Sequence, residues 1–407
     1  MRNVRSQSKR LIPGMVLTFT LAVALVFAPQ PTQAQTFTVL YTFTGGADGG
    51  SPYAGVVLDG AGNLYGTTTA GGSGVFDCPT GCGTVFKVDA TGNETVLHSF
   101  GETNTDGAFP FYGYLVRDGA GNLYGTTDYG GIHGSGTIFR VSPTGKEVFF
   151  SFNGSDGGFP FAGLVADTSG NFYGTTYVRG TGCLPYGCGT VFKINSKGKE
   201  SILYSFTGAP DGDNPFAGLV RDSAGNLYGT TITGGTNGAG TVFKVDTTGK
   251  ETVLYSFCSN ACQDGEIPYS ALIRDNAGNL YGTTLAGGMF GSGTVFKLDS
   301  TGVETVLYNF CSQSGCTDGS QPYAGLVRDA ADDLYGTTYG GGANQAGTVF
   351  EVDKTGKETV LYSFCSLPGC ADGGLPYAGL ARDNAGNLYG TTSNFAEAYG
   401  TVFKIAP

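Results

Sequence analysis

The chain has 407 residues, 33 acids against 22 Lys and Arg, a formal charge of −11, ten Cys and no Trp. That balance argues against nucleic acid and against an anionic membrane surface as partners. Length alone would allow two or three average domains.

The first 34 residues carry Arg2, Arg5, Lys9 and Arg10, then an uncharged apolar stretch from Leu11 to Phe27, and end with Thr32 and Ala34 where a signal peptidase reads. The expectation is a secretory signal cleaved before Gln35. The alternative is a retained anchor, since about 17 apolar residues just suffice to span a bilayer. Cleavage leaves 373 residues with a charge of about −15, and no later segment is apolar and long enough to span. The product is expected to be secreted, periplasmic or otherwise in the cell envelope, without a membrane span once cleaved, and monomeric.

From residue 38 the chain repeats itself. NLYGTT stands at 63–68 and returns nearly unchanged six times, with its tyrosine at Tyr65, Tyr124, Tyr173, Tyr228, Tyr281, Tyr335 and Tyr389. Each unit holds four short segments, as in AGLVRD (217–222), NLYGTT (226–231), GTVFKVD (240–246) and TVLYSF (252–257). They are rich in Val, Thr, Tyr and Phe and bounded by Gly or Asp, which is strand and turn chemistry. DSAGN (222–226) and DTTGKE (246–251) are tight turns in which Asp opens and Gly supplies a positive φ. The other two connections vary in length and hold every cysteine. In an up-and-down meander alternate connections lie at opposite ends, so tight turns share one face and variable loops the other.

Four antiparallel strands per unit of about 50 residues, repeated seven times, predict an all-β, seven-bladed β-propeller over residues 35–407. The ends favour a ring over a solenoid. The chain opens with TVLYTF (38–43), a fourth strand lacking its first three, and closes with GTVFKI (400–405), a third strand lacking its fourth. Pairing the two completes the last blade and places the seven NLYGTT phrases as seven second strands.

The run LYGTT, GG, GTVFK, TGKETVLYSF, DG and PYAGL resembles the Gloeobacter/Verrucomicrobia (GloVer) tandem-repeat family of secreted bacterial proteins, over essentially all of residues 35–407. The DxAGNLY turn is more weakly similar to blades of NHL and gluconolactonase-type propellers. The resemblance implies an exported propeller and brings no catalytic residues.

The cysteines fall into close pairs: Cys78 with Cys82, Cys183 with Cys188, Cys258 with Cys262, Cys311 with Cys316, and Cys365 with Cys370. In an exported chain this predicts five short disulfide loops, each stabilising by about 2 kcal/mol on the chain-entropy estimate. Zinc is the rival reading. The spacers are only three or four residues, however, no paired His motif accompanies them, and the pairs belong to separate repeats.

Residues that recur in all blades read as architecture. The DGxxP aspartates (Asp48, Asp106, Asp156, Asp211, Asp264, Asp318 and Asp372) could ring one rim as Ca2+ ligands, but each is expected instead to accept amide bonds in its own turn. Arg117, Arg221, Arg274, Arg328 and Arg382 precede the tight-turn Asp and are expected to pair with turn carboxylates such as Asp118 or Asp222. Residues that do not recur on the variable face are the binding candidates: Asp77, Tyr129, Tyr177, Tyr186, Asp213, Glu266, Phe290, Tyr339, Phe395 and Tyr399, with Phe76, Glu102, Phe109, Asp128, Phe159 and Glu397 in the wider set. Aromatic faces beside acids suit a sugar or a peptide.

Catalytic material is sparse. His98 stands where other fourth strands have Tyr, His133 lies in a Gly-rich loop, and no GxSxG, HExxH or phosphate loop occurs. No cofactor is expected. The leading expectation is a binding or interaction module for a glycan, peptide or protein. The alternative is a metal-assisted hydrolase or lactonase using Asp213, Asn214 and Glu266 at the channel mouth, and a purely structural envelope role completes the set.

Overall fold

The computed structural model describes residues 35–73, 78–103, 105–142, 145–183, 185–393 and 399–407, with the side chains of 146–148 outside the description. Residues 1–34, expected from sequence to be a secretory signal, lie outside it. The described residues form seven four-stranded antiparallel sheets arranged as a propeller. The only helical turns among them are two three-residue 3₁₀ segments, Ser314–Cys316 and Pro368–Cys370. No helix among the described residues is long and apolar enough to cross a membrane.

The first blade runs Val57–Leu58, Leu64–Thr68, Thr84–Val88, Glu94–Ser99. The seventh is Ala381–Arg382, Leu388–Thr392 and Thr401–Ala406, completed by Thr36–Thr42 from the start of the propeller. The closing strand pairs Thr36 with Ala406 and Thr42 with Thr401, two residues earlier than the stretch 38–43 assigned from sequence. Innermost strands are shorter than expected. In AGLVRD only Val220 and Arg221 pair, and the preceding residues run unpaired along the channel.

Every letter of NLYGTT has a structural task. Leu64 and its equivalents are buried. The tyrosine hydroxyl donates to the Asp of its own tight turn, Tyr65 to Asp59 at 3.0 Å and Tyr228 to Asp222 at 3.0 Å. The glycine leaves room for the ring of the third strand, since a Cβ on Gly66 would stand 2.6 Å from Phe86 Cζ. The first Thr reaches the next blade, Thr175 Oγ1 donating to Ala217 O at 3.0 Å and Thr337 Oγ1 to Ala378 O at 2.8 Å. The second pairs within the blade, Thr231 with Thr241 and Thr392 with Thr401, both at 2.8 Å.

The core is distributed between blades. Seven buried clusters each join two neighbours, such as Tyr173, Val191 and Phe206 with Leu219, Leu227 and Phe243. Within each junction the last Phe of one blade meets the third-strand Phe of the next edge to face, as in Phe206–Phe243 at 5.0 Å and Phe364–Phe403 at 5.2 Å. At the seam Phe43 meets Phe86 in the same way, at 5.0 Å.

The arginines bind the junctions from outside. Arg221 lies 5.7 Å over the Tyr173 ring and Arg274 5.6 Å over Tyr228, each blade capping the tyrosine of the one before it. Arg382 also lies 3.6 Å from Asp329 of the preceding blade. Arg328 pairs with Asp332 of its own turn, so turn carboxylates are partners as expected from sequence, and the ring of the neighbour's Tyr is the partner that was not foreseen. All five disulfides form as paired.

Candidate functional site

The DGxxP aspartates bind within their own loops. Asp264 Oδ2 accepts from the Tyr255 hydroxyl at 2.7 Å, Ser259 N at 2.9 Å and Ser259 Oγ at 2.8 Å. Asp318 and Asp372 repeat the pattern with Tyr308 and Tyr362. The fourth-strand tyrosine was not foreseen as the partner. His98, which replaces it in one blade, places Nε2 3.4 Å from Asp106, so this histidine stands in for a structural hydroxyl.

Immediately after the loop comes a position with one backbone and six different side chains in seven blades. Ser51, Phe109, Phe159, Asn214, Ile267, Gln321 and Leu375 all have φ between 52° and 57°. The left-handed region costs a side chain roughly 1 kcal/mol, and glycine is its usual occupant. This chain places glycine at most of its positive-φ positions, yet never at this one. The backbone there is doubly held: Gln321 N donates to Ser292 O of the preceding blade, and Gln321 O accepts from Tyr339 N, with the same two bonds at Phe159. Its partner position, directly after the second Thr of NLYGTT, is equally varied: Thr69, Asp128, Tyr177, Ile232, Leu285, Tyr339 and Ser393.

Next comes the aromatic residue after the Pro, one per blade. Tyr53, Phe111, Phe161, Phe216, Tyr269, Tyr323 and Tyr377 form a closed ring around the channel, with neighbouring centroids 4.1 to 6.3 Å apart. The second blade carries one extra residue in this stretch, and its Tyr112 fills the centre of the ring, 5.0 Å from Phe216 and 6.0 Å from each of Tyr53, Tyr269 and Tyr377. Tyr112 and Tyr269 are hydrogen-bonded through their hydroxyls. Below them is a lumen of about 220 Å³, walled by the Ala and Gly of the innermost segments. The Tyr114 hydroxyl crosses it to the Gly379 backbone.

Two of the residues chosen from sequence sit on this ring. Tyr177 packs against Phe161 at 5.2 Å and Phe216 at 5.9 Å, and Tyr339 against Tyr377 at 4.6 Å and Tyr323 at 5.4 Å. Asp213 is close enough that its charge, after burial, raises the Tyr177 hydroxyl pKa. Burial raises Asp213 itself, opposed by the Asn214 amide and reinforced by Asp211. Asp128 occupies the position of Tyr177 and Tyr339 in the second blade and is 2% exposed. Burial pushes its carboxyl well above the usual range, and its field reaches Tyr269, three blades on.

The remaining candidates lie elsewhere. Tyr129 packs between Phe109 and Phe159. Tyr186 and Phe290 are exposed, and Tyr399 lies against Gly45 and Gly50 at the seam. Asp77, Phe395, Phe76 and Glu397 fall outside the described residues. Asp213 stands beside the Cys183–Cys188 bridge and Glu266 beside Cys258–Cys262, in separate groups, and the Asn214 amide is engaged with Tyr177 O and the Thr233 hydroxyl. Those three residues do not converge as an oxygen-ligand set. The recurring aromatic ring was missed because recurrence was read as architecture. The extra residue in FPFYGYLV (109–116) was its visible sign.

The family profile of the Gloeobacter/Verrucomicrobia repeat matches residues 25–184 and 181–403. No curated protein matches the chain in sequence. Among solved structures, the chain is similar to one described as the extracellular domain of a one-component system from B. thetaiotaomicron, at 12% identity and a TM-score of 0.55. That match covers 91% of this chain but 40% of the other, so the present chain spans less than half of its relative, and the likeness is one of fold. A chain described as a gluconolactonase-family protein aligns at 11% identity and a TM-score of 0.41, over 91% of this chain and 92% of that one. With seven matching blades and a family profile spanning nearly all of its length, the chain belongs to the Gloeobacter/Verrucomicrobia repeat family.

Proposed function

We propose that the protein is an exported binding module that receives its ligand, a glycan, a peptide or a protein segment, at the mouth of the central channel. One observation carries this reading: an almost invariant scaffold holds two rings of dissimilar side chains around an aromatic floor. Seven left-handed positions that could have been glycine are given to seven side chains, a choice that folding alone disfavours. Aromatic floors with a few convergent polar groups are the usual composition of small-molecule sites. The paired disulfides and the leader sequence support export.

The test is binding of the purified propeller to glycan and peptide panels, read by tyrosine fluorescence, which no Trp obscures. Tyr177→Ala with Tyr339→Ala should lower affinity for any hit at least tenfold with an unchanged melting temperature. Hits unaffected by that pair, but lost on replacing the exposed Tyr186 or Phe290, would move the site to the loop tips and overturn the proposal.

A further inference from the structure

The two variable rings at the channel mouth hold one acid, and a cation, Arg179, lies against them with its guanidinium 5.6 Å over the Phe159 ring. Of the fourteen positions that make up these rings, one is acidic and none is Lys, Arg or His. That acid is Asp128. It is 2% exposed, and its Oδ1 has no hydrogen-bond partner. Buried carboxylates are ordinarily paired or hydrogen-bonded, because an isolated one costs several kcal/mol. The tight-turn aspartates meet that rule: Asp59 accepts from the amides of Ala61 and Asn63, the Asn63 side chain and the Tyr65 hydroxyl. Oε1 of Glu94, Glu200, Glu251, Glu304 and Glu358 and Oδ1 of Asp264 are likewise without a partner; among these residues Asp128 is the one that stands in the variable rings beside the aromatic floor.

The backbone bond from Asp128 N to Phe109 O matches those from Tyr177 N to Phe159 O and from Tyr339 N to Gln321 O. The carboxylate therefore starts from the same slot as two rings that lie on the floor. Asp128 also contributes, after burial and as the least of several causes, to the raised pKa of the Tyr269 hydroxyl.

We propose that the mouth recognises an organic cation, an alkylated ammonium group, with the floor of aromatic rings as its walls and the Asp128 carboxylate as its counter-charge; this rests on the channel mouth being the binding site. Ring faces attract cations through their quadrupole, most strongly where water is excluded. An alkylated ammonium presents apolar methyl groups to the rings and requires no hydrogen-bond acceptor, which suits a floor of Tyr and Phe faces. It need not touch Asp128, because a charge in a water-poor site acts over several ångströms with little screening. A neutral sugar would bring the carboxylate no counter-charge.

The experiment titrates the propeller with choline, with tetramethylammonium, and with 3,3-dimethylbutan-1-ol, the uncharged isostere of choline, by calorimetry and tyrosine fluorescence. Choline and tetramethylammonium should bind at least tenfold more tightly than the alcohol. Asp128→Asn should bring that ratio below about three without lowering the melting temperature, while Glu266→Gln, in another blade beside a disulfide, should leave it unchanged. Equal binding of choline and the alcohol by the parent protein, or choline affinity untouched by Asp128→Asn, overturns the cation assignment. If the cations fail but a glycan or peptide binds and is lost with Tyr339→Ala, the ligand class falls and the channel-mouth site stands. If every probe binds independently of Tyr177, Tyr339 and Asp128, both fall.

Discussion

The hydroxyl of Thr391 donates to the carbonyl of Ala54 at 3.0 Å, joining residues 337 positions apart. Thr175 makes the same bond to Ala217 at 3.0 Å within the chain. The seam is built as an ordinary junction, so the two should be energetically alike. Thr391→Val and Thr175→Val are each expected to cost about 1 kcal/mol, the typical net worth of such a bond. Urea unfolding measures both, and a seam variant several times more damaging would show closure to be a weak point of a different kind.

Phe43 is 2% exposed and packs on Phe86 across that seam. Phe43→Ala should destabilise by about 3–5 kcal/mol, as for other fully buried phenylalanines. Gly229→Ala acts on an internal junction by the opposite fault. Its Cβ would stand 2.7 Å from Phe243 Cζ and 2.9 Å from Leu219 Cδ2, and overpacking of that sort costs about 1–3 kcal/mol. Chemical denaturation of the two variants checks both values.

Arg274→Lys keeps the charge over Tyr228 but loses the flat guanidinium that lies against the ring. A loss of about 0.5 kcal/mol is expected, and Arg274→Met should lose up to about 1 kcal/mol. Lys357→Met, at an exposed position, should be neutral, which a thermal melt can read.

Stability should peak in mild acid. Burial, then the charge of a neighbouring aspartate, pushes Glu94, Glu200, Glu251, Glu304 and Glu358 up to about 7. Folding therefore favours their protonated form. The stability they contribute is full below their usual 4.5 and is lost as pH rises through about 7. Asp59 and Asp167 run the other way. Burial opposes their ionisation, but bonds from Asn63 or Asn171 and from backbone amides outweigh it and bring them to about 2, so their contribution is lost as pH falls from 3.8 toward that value. Melting temperatures from pH 2 to 9 should rise and then fall with a maximum near pH 4–5, and Glu304→Gln should flatten the alkaline descent.

Gln321→Gly separates folding from recognition. Glycine adopts the φ of 56° at no steric cost, so the variant should be as stable as the parent or more so, by up to about 1 kcal/mol. If the side chain is there for a ligand, affinity falls while the melting temperature does not. A variant that loses stability and keeps affinity would make Gln321 a structural residue.

The repeat was legible because each blade must satisfy the same junction. Tyr65 needs its turn Asp, Gly66 must admit the Phe86 ring, and Thr67 and Thr68 must each find a partner, so local chemistry writes the same six letters seven times. The offset between Thr38 and Ile405 likewise exposed the closure, because a strand missing at one end and spare at the other can only be reconciled in a ring. Cysteine spacing gave the disulfides for a similar reason, the partners being only a loop apart.

What the sequence could not order was the set of side chains that converge only after the ring closes. Tyr53 and Tyr377 are separated by nearly the whole propeller and lie 4.9 Å apart. Tyr177 and Tyr339 looked no different from Tyr186 until one pair rested on the aromatic floor and the other residue faced solvent. Sequence alone determined the blade, its seven-fold repetition and the closure, since those follow from contacts between neighbours. The tertiary structure alone decided the centre, where each blade contributes one aromatic ring, because position on an axis is a property of all seven blades together and is written in none of them.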